Sequence, residues 1–117
     1  MAIDTGPRLA ARRELAPAAA LFRSLGDPAR LAIVQHLAGG EARVTDLTGR
    51  LGLAQSTVSK HLACLRDCGL VTVRAEGRAS VYSLAQPALP QLLAAAEQVL
   101  AATGNAVALC PDWGQPR

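Results

Sequence analysis

A chain of 117 residues is long enough for one domain with a core of its own and too short for two. Half of the residues are hydrophobic, yet only Phe22, Tyr82 and Trp113 are aromatic, so Leu, Val and Ala must build the core, as in packed helices that complete themselves by dimerising. The formal net charge of +3 fits a nucleic-acid surface, and no apolar run approaches the roughly eighteen residues of a membrane span.

Residues 1–9 already carry Asp4 and Arg8 and lack the apolar stretch of a signal peptide. The expected compartment is the cytoplasm, where three cysteines, an odd number, are thiols rather than a disulfide framework.

In chain order, Arg8 to Leu15 reads as a short first helix broken or kinked at Pro17, and Ala18, Leu21, Phe22 and Leu25 carry the 3.6-residue period of a second helical piece. Gly26-Asp27-Pro28 supplies a stop, an N-cap and a first helical residue. The helix it opens, Pro28 to Leu37, turns Leu31, Val34 and Leu37 inward and stops at Gly39-Gly40. Thr45 is the expected N-cap of a short helix burying Leu47 and Leu51, which Gly52 closes. After a tight turn a further helix runs from Gln55 to Asp67, with Gly69 as its left-handed stop. Helix, glycine turn and helix make a helix-turn-helix. Leu70 to Ala75 and Ser80 to Leu84 are β-prone runs around Glu76-Gly77-Arg78-Ala79, a hairpin with a charged tip. Pro87 to Thr103 gives a last helix rich in Leu and Ala, ended by Gly104-Asn105, and the tail that follows has little regular structure. The expected fold is mostly α with a β-hairpin wing, a homodimeric winged helix-turn-helix.

The helix Gln55 to Asp67 divides by angle. At about 100° per residue, Val58, Leu62 and Leu65 fall within about 60° and form the buried stripe, while Ser56, Ser59, Lys60 and Ala63 lie opposite. A small, polar, basic face is what a helix entering the major groove needs. Gln55, Ser56, Thr57 and Ser59 suit base edges or phosphates, and Lys60 suits a phosphate. Arg74 and Arg78 flank the hairpin tip, where cations meet the backbone of a neighbouring groove and position a protein without reading sequence. An enzyme is not expected: no nucleophile–base pair, phosphate-cradling glycine loop or paired carboxylates stand out.

The stretches Leu25-Gly26-Asp27-Pro28-Ala29-Arg30-Leu31 and Gln55-Ser56-Thr57-Val58-Ser59-Lys60-His61-Leu62, followed by Gly69-Leu70-Val71 and by Gly77-Arg78 before Val81-Tyr82, resemble the ArsR/SmtB family of metal-sensing transcriptional repressors. The resemblance covers residues 18–84, the DNA-binding unit. It implies a homodimer on an inverted-repeat operator, joined through the first and last helices (residues 1–17 and 87–104).

Cys64 and Cys68 stand four residues apart, so both project from one side of their helix, about 110° from the buried stripe and away from the Ser59/Ala63 face. Two thiolates are too few for a tight metal site, and the remaining cysteine is Cys110, in the tail of residues 105–117. An all-sulfur set favours soft ions over Mg, Ca or Mn. Three sulfurs suit Pb(II) or As(III), and Cd(II) adds an oxygen or water. The same thiols fit a redox-sensing repressor, and inert cysteines in a DNA-binding module are a third reading.

Set against the family's known sites, Glu41 to Leu47 offers Val44 and Thr45 where the arsenic and cadmium box has cysteines, and Pro87 to Thr103 lacks the His and Asp of the zinc site. The run from His61 to Val71, with one distant tail cysteine, is similar to the cadmium- and lead-responsive branch. That resemblance implies Cys64, Cys68 and Cys110 as ligands, the last from the other subunit, and Cd(II) or Pb(II) as inducer, with As(III) and Hg(II) as further candidates. His61, three residues before Cys64, could supply a nitrogen but reads rather as a side chain that packs or contacts DNA, and His36 reads as structural.

Overall fold

The computed structural model describes the backbone of residues 5–109 and the side chains of residues 11–109. The described chain comprises α1 (Thr5–Leu25), α2 (Pro28–Ala38), β1 (Ala42–Arg43), α3 (Val44–Leu51), α4 (Gln55–Asp67), β2 (Val71–Glu76), β3 (Ala79–Leu84) and α5 (Leu89–Ala102). No helix among the described residues is long and apolar enough to cross a membrane.

The expected break at Pro17 does not occur: α1 is one helix of 21 residues with Pro17 inside it. Proline deletes one amide and orphans the carbonyl four residues back. Here Arg13 and Pro17 both lie in an exposed stretch, where water satisfies that carbonyl at little cost. Residues 11–19 are all exposed, and Leu15 and Phe22 keep 63% and 60% of their surface. Among the described side chains of α1, those of Ser24 and Leu25 are buried and that of Leu21 packs against the core.

Asp27 caps α2 as expected, its carboxylate accepting from the amides of Ala29 at 2.8 Å and Arg30 at 3.1 Å. The Arg30 amide bond, seconded by those of Ala29 and by the nearby His61 and Arg30 charges, outweighs desolvation and holds the carboxyl below the usual range. Within α2 the fully buried residues are Ile33 and Val34, with Leu37 close behind and Leu31 only half-buried. The helix is apolar on more than one side because α1, α3, α4, α5 and β3 all pack against it.

The start of α3 also differs from expectation. Arg43, not Thr45, is the N-cap, and its amide donates to the carboxylate of Asp46 at 2.9 Å. The reason is a strand unread in the sequence. Two-residue β1 pairs antiparallel with β3, placing Ala42 opposite Tyr82 and Arg43 opposite Val81, so the chain leaves the sheet directly into the helix. Gly52 takes a left-handed conformation (φ +66°) and closes α3, its amide donating to Thr48. That geometry turns the chain into α4 within three residues.

The sheet has the order β1-β3-β2, with Glu76 opposite Ala79 across a two-residue turn. Gly77 opens that turn at φ +63°, the sign a tight hairpin demands. Val58, Leu62 and Leu65 are completely buried, as their spacing predicts, and join Leu25, Leu47, Leu70, Val71, Leu89 and Leu93 in one core. Residues 105–109, after α5, have no regular structure but are anchored: Gln35 donates to the Ala108 carbonyl at 3.2 Å, the Leu109 amide to Glu97, and Leu109 packs on the core.

Candidate DNA interface and thiol site

Burying the Val58–Leu62–Leu65 stripe forces the opposite side of α4 outward. Gln55, Ser56, Ser59 and Lys60 are exposed, and Thr57 is half-buried at the margin. Ala54, the N-cap, offers no side-chain acceptor. The first-turn amides of α4 are thus left to an outside acceptor, at the positive end of the helix dipole, which is the arrangement that receives a phosphate. Sequence reasoning about side chains missed this feature, although Ala at position 54 was its signal.

An open depression of about 410 Å³ lies between α4 and the wing, lined by Arg43, Val44, Thr45, Gln55, Arg78, Ala79 and Ser80. It brings Gln55 and Arg78 together, two of the expected DNA residues from different elements, and adds Arg43. The two wing arginines part company. Arg78 sits at the exposed tip with no carboxylate partner among the described residues. Arg74 does not line that depression and is engaged by two carboxylates: both its terminal nitrogens donate to Glu41 at 2.9 Å, and one also donates to Glu76 at 2.7 Å. Glu76 in turn receives Arg43 at 3.4 Å. Each of these pairs is about half exposed, so their role is to orient β1 against the hairpin more than to stabilise the fold.

The thiols lie at the other end of α4. Cys64 is half-buried within the last turns, and Cys68 is the exposed C-cap, just beyond the helix. The Cys68 amide still bonds the Cys64 carbonyl at 3.1 Å, so the i, i+4 relation survives the helix end. Gly69 then turns at φ +75°, as the sequence suggests, and its amide bonds Arg66. The Cys68 sulfur lies 2.8 Å from the hydroxyl of Ser24, a residue that sequence spacing gave no reason to single out. Arg30 supports this corner, donating to the carbonyls of Ser24 (2.6 Å) and Arg23 (3.3 Å), with His61 Nδ1 at 3.4 Å from its remaining nitrogen. His61 is half-buried at this corner.

Among the described residues no three His, Cys, Asp or Glu side chains form a metal-holding cluster. Cys64 and Cys68 form a thiol pair, and Cys110 lies outside the described residues. The donor chemistry fits a soft ion: two sulfurs at one helix end, one accessible to solvent, without the oxygen-rich surroundings a hard cation needs.

Comparison with known proteins agrees with this geometry. Residues 27–73 match the family model described as bacterial regulatory protein, arsR family. A probable mercury resistance operon repressor of Streptomyces lividans is 35% identical over 102 residues, covering 85% of this chain and 82% of the relative. The transcriptional regulator CmtR of Mycobacterium tuberculosis is 44% identical over 84 residues, 72% of this chain and 71% of that protein. The homodimeric winged helix-turn-helix DNA-binding domain Mb0332 of Mycobacterium bovis superposes with a TM-score of 0.68 at 30% identity, covering 88% of this chain and 90% of that one. With its winged helix-turn-helix and these relatives, the chain belongs to the ArsR family of bacterial regulatory proteins, which are DNA-binding regulators and not enzymes.

Proposed function

We propose that the protein is a dimeric repressor that binds an operator and releases it when a thiophilic metal ion is bound by Cys64, Cys68 and Cys110. One observation carries this reading: the two thiols sit at the C-terminal end of the helix proposed to read DNA, at the opposite end from Gln55 and away from the Ser59/Ala63 face. Ligation there leaves the polar face clear while acting on the orientation of the whole helix. The names of the relatives, among them a mercury resistance repressor and CmtR, support a soft-metal inducer. Cd(II) and Pb(II) are the proposed inducers, with As(III) and Hg(II) next.

In this reading Gln55, Ser56, Thr57 and Ser59 face base edges and nearby phosphates in the major groove, Lys60 a phosphate, and Arg78 the backbone beside the wing. Arg74 takes a supporting part, holding the wing through Glu41 and Glu76. The exposed apolar residues of α1 and α5, with Leu15, Phe22 and Val99 each more than half open, supply the dimer surface. Cys64, Cys68 and Cys110 would hold the ion, which when bound would bridge their thiolates, and the chain supplies the two conformations between which that ligation discriminates. Binding moves the equilibrium only by its differential affinity for the released form. A hundredfold loss of operator affinity corresponds to about 2.7 kcal/mol of coupling, and operator DNA must weaken metal binding by the same factor.

The test is fluorescence anisotropy of a labelled operator fragment with reduced protein, titrated with Cd(II), Pb(II), As(III), Hg(II) and Zn(II). Release by one or more soft ions, absent in Cys64→Ser while DNA binding persists, is the expected result. Operator binding that ignores every ion but is lost with peroxide would replace metal sensing with redox sensing.

A further inference from the structure

Ser24 is the one polar side chain buried in the core of the described residues, at 5% exposure. A buried serine near a helix end ordinarily returns its hydroxyl to a carbonyl one turn back. This one does not. Its Oγ lies 2.8 Å from the sulfur of Cys68, 44 residues away, and that sulfur is its partner among the described residues. The contact joins the last turn of α1 to the C-cap of α4. The backbone on the α1 side is fixed independently, because Arg30 holds the carbonyls of both Arg23 and Ser24. The hydroxyl is therefore presented to the sulfur by a braced helix end.

We propose that Ser24 is a positioning residue of the metal site, donating an outer-sphere hydrogen bond to the Cys68 sulfur and tying that ligand to α1. The proposal rests on the reading of Cys64 and Cys68 as ligands. A ligating thiolate carries no proton, so in the bond between these two groups the serine O–H donates and the sulfur accepts. Such partners fix a ligand's orientation, and their removal typically weakens metal binding 10–100-fold. The sulfur is the hydroxyl's partner among the described residues, so displacing Cys68 obliges a largely buried O–H to find another acceptor. Ligand geometry at Cys68 and the position of the α1 end are thus coupled. Because α1 also bears the exposed Leu15 and Phe22, the same bond links the thiol site to the surface proposed for the partner subunit.

The experiment titrates Cd(II) into the reduced full-length wild type, Ser24→Ala, Cys64→Ser and Cys68→Ser, reading affinity by chelator competition and the thiolate-to-cadmium charge-transfer band by ultraviolet absorption. Thermal melts of the metal-free proteins check that each is folded. A donated hydrogen bond lowers the energy of the sulfur lone pair, so Ser24→Ala is expected to bind Cd(II) about tenfold or more weakly and to shift the band to longer wavelength. An unchanged affinity overturns the proposal, and so does weaker binding with an unmoved band, since a purely structural role would not alter the sulfur's electronics. If wild type shows no thiolate band, or the band survives both cysteine substitutions, the metal site itself falls and the role of Ser24 with it. A band that is lost in the cysteine variants but indifferent to Ser24→Ala removes Ser24 alone.

Discussion

The clearest prediction concerns the two wing arginines, which sequence treats alike and the structure separates. Arg78 lies at the tip, lining one depression with Gln55 and with no carboxylate partner among the described residues, whereas the guanidinium of Arg74 is taken by Glu41 and Glu76. If Arg78 meets a phosphate in each half of a dimer, Arg78→Ala removes two such contacts per operator. Each phosphate contact contributes about 0.9 to the slope of log affinity against log salt, so the slope should become shallower by about 1.8. Between 50 and 200 mM salt that difference amounts to a factor of about 12: the wild type loses about 12-fold more affinity than the variant over that range. Arg74→Ala should leave the slope nearly unchanged, its cost being a looser wing and a modest fall in affinity independent of salt. The assay is operator anisotropy at four or five potassium chloride concentrations, with a scrambled duplex alongside. Arg78→Ala should weaken both duplexes alike, because phosphates carry no sequence. Equal slope changes for the two variants would refute the argument, as would a loss in Arg78→Ala confined to the operator.

Other perturbations test the scaffold. Leu62→Ala empties a completely buried position at the centre of α4 and should cost about 2–5 kcal/mol in urea denaturation, with operator affinity falling in step as the helix loses its seat. Gly52→Ala meets no steric obstacle but forces a side chain into φ +66°, so a loss of about 1–2 kcal/mol is expected, less for Gly52→Asn, again by urea denaturation. Asp27→Ala should lower the melting temperature near neutral pH and have less effect in acid. The folded-state carboxyl titrates below its ordinary value, so its contribution is present above that value and is lost as pH falls through the lowered one.

Much of this protein was legible from periodicity and punctuation. The Val58–Leu62–Leu65 stripe predicts both the buried and the open sides of α4, because a helix with one apolar stripe has a single way to sit on a core. Asp27-Pro28 predicts the start of α2, and Gly52, Gly69 and Gly77 predict turns, because each stands where the chain must adopt a positive φ. The spacing of Cys64 and Cys68 places two thiols on one side of a helix end, which is a local property. What escaped depends on partners distant in sequence. Strand β1 is two residues long and exists because β3 is beside it, and it moved the cap of α3 from Thr45 to Arg43. Pro17 reads as a breaker, yet its outcome turned on whether the orphaned carbonyl faced water. Arg74 and Arg78 carry the same charge four residues apart, each two residues from Glu76, and only the fold brought the distant Glu41 to Arg74. Ser24 is an ordinary serine until the end of α1 meets the C-cap of α4; that meeting sets its hydroxyl on the sulfur of Cys68, a contact that no local pattern encodes.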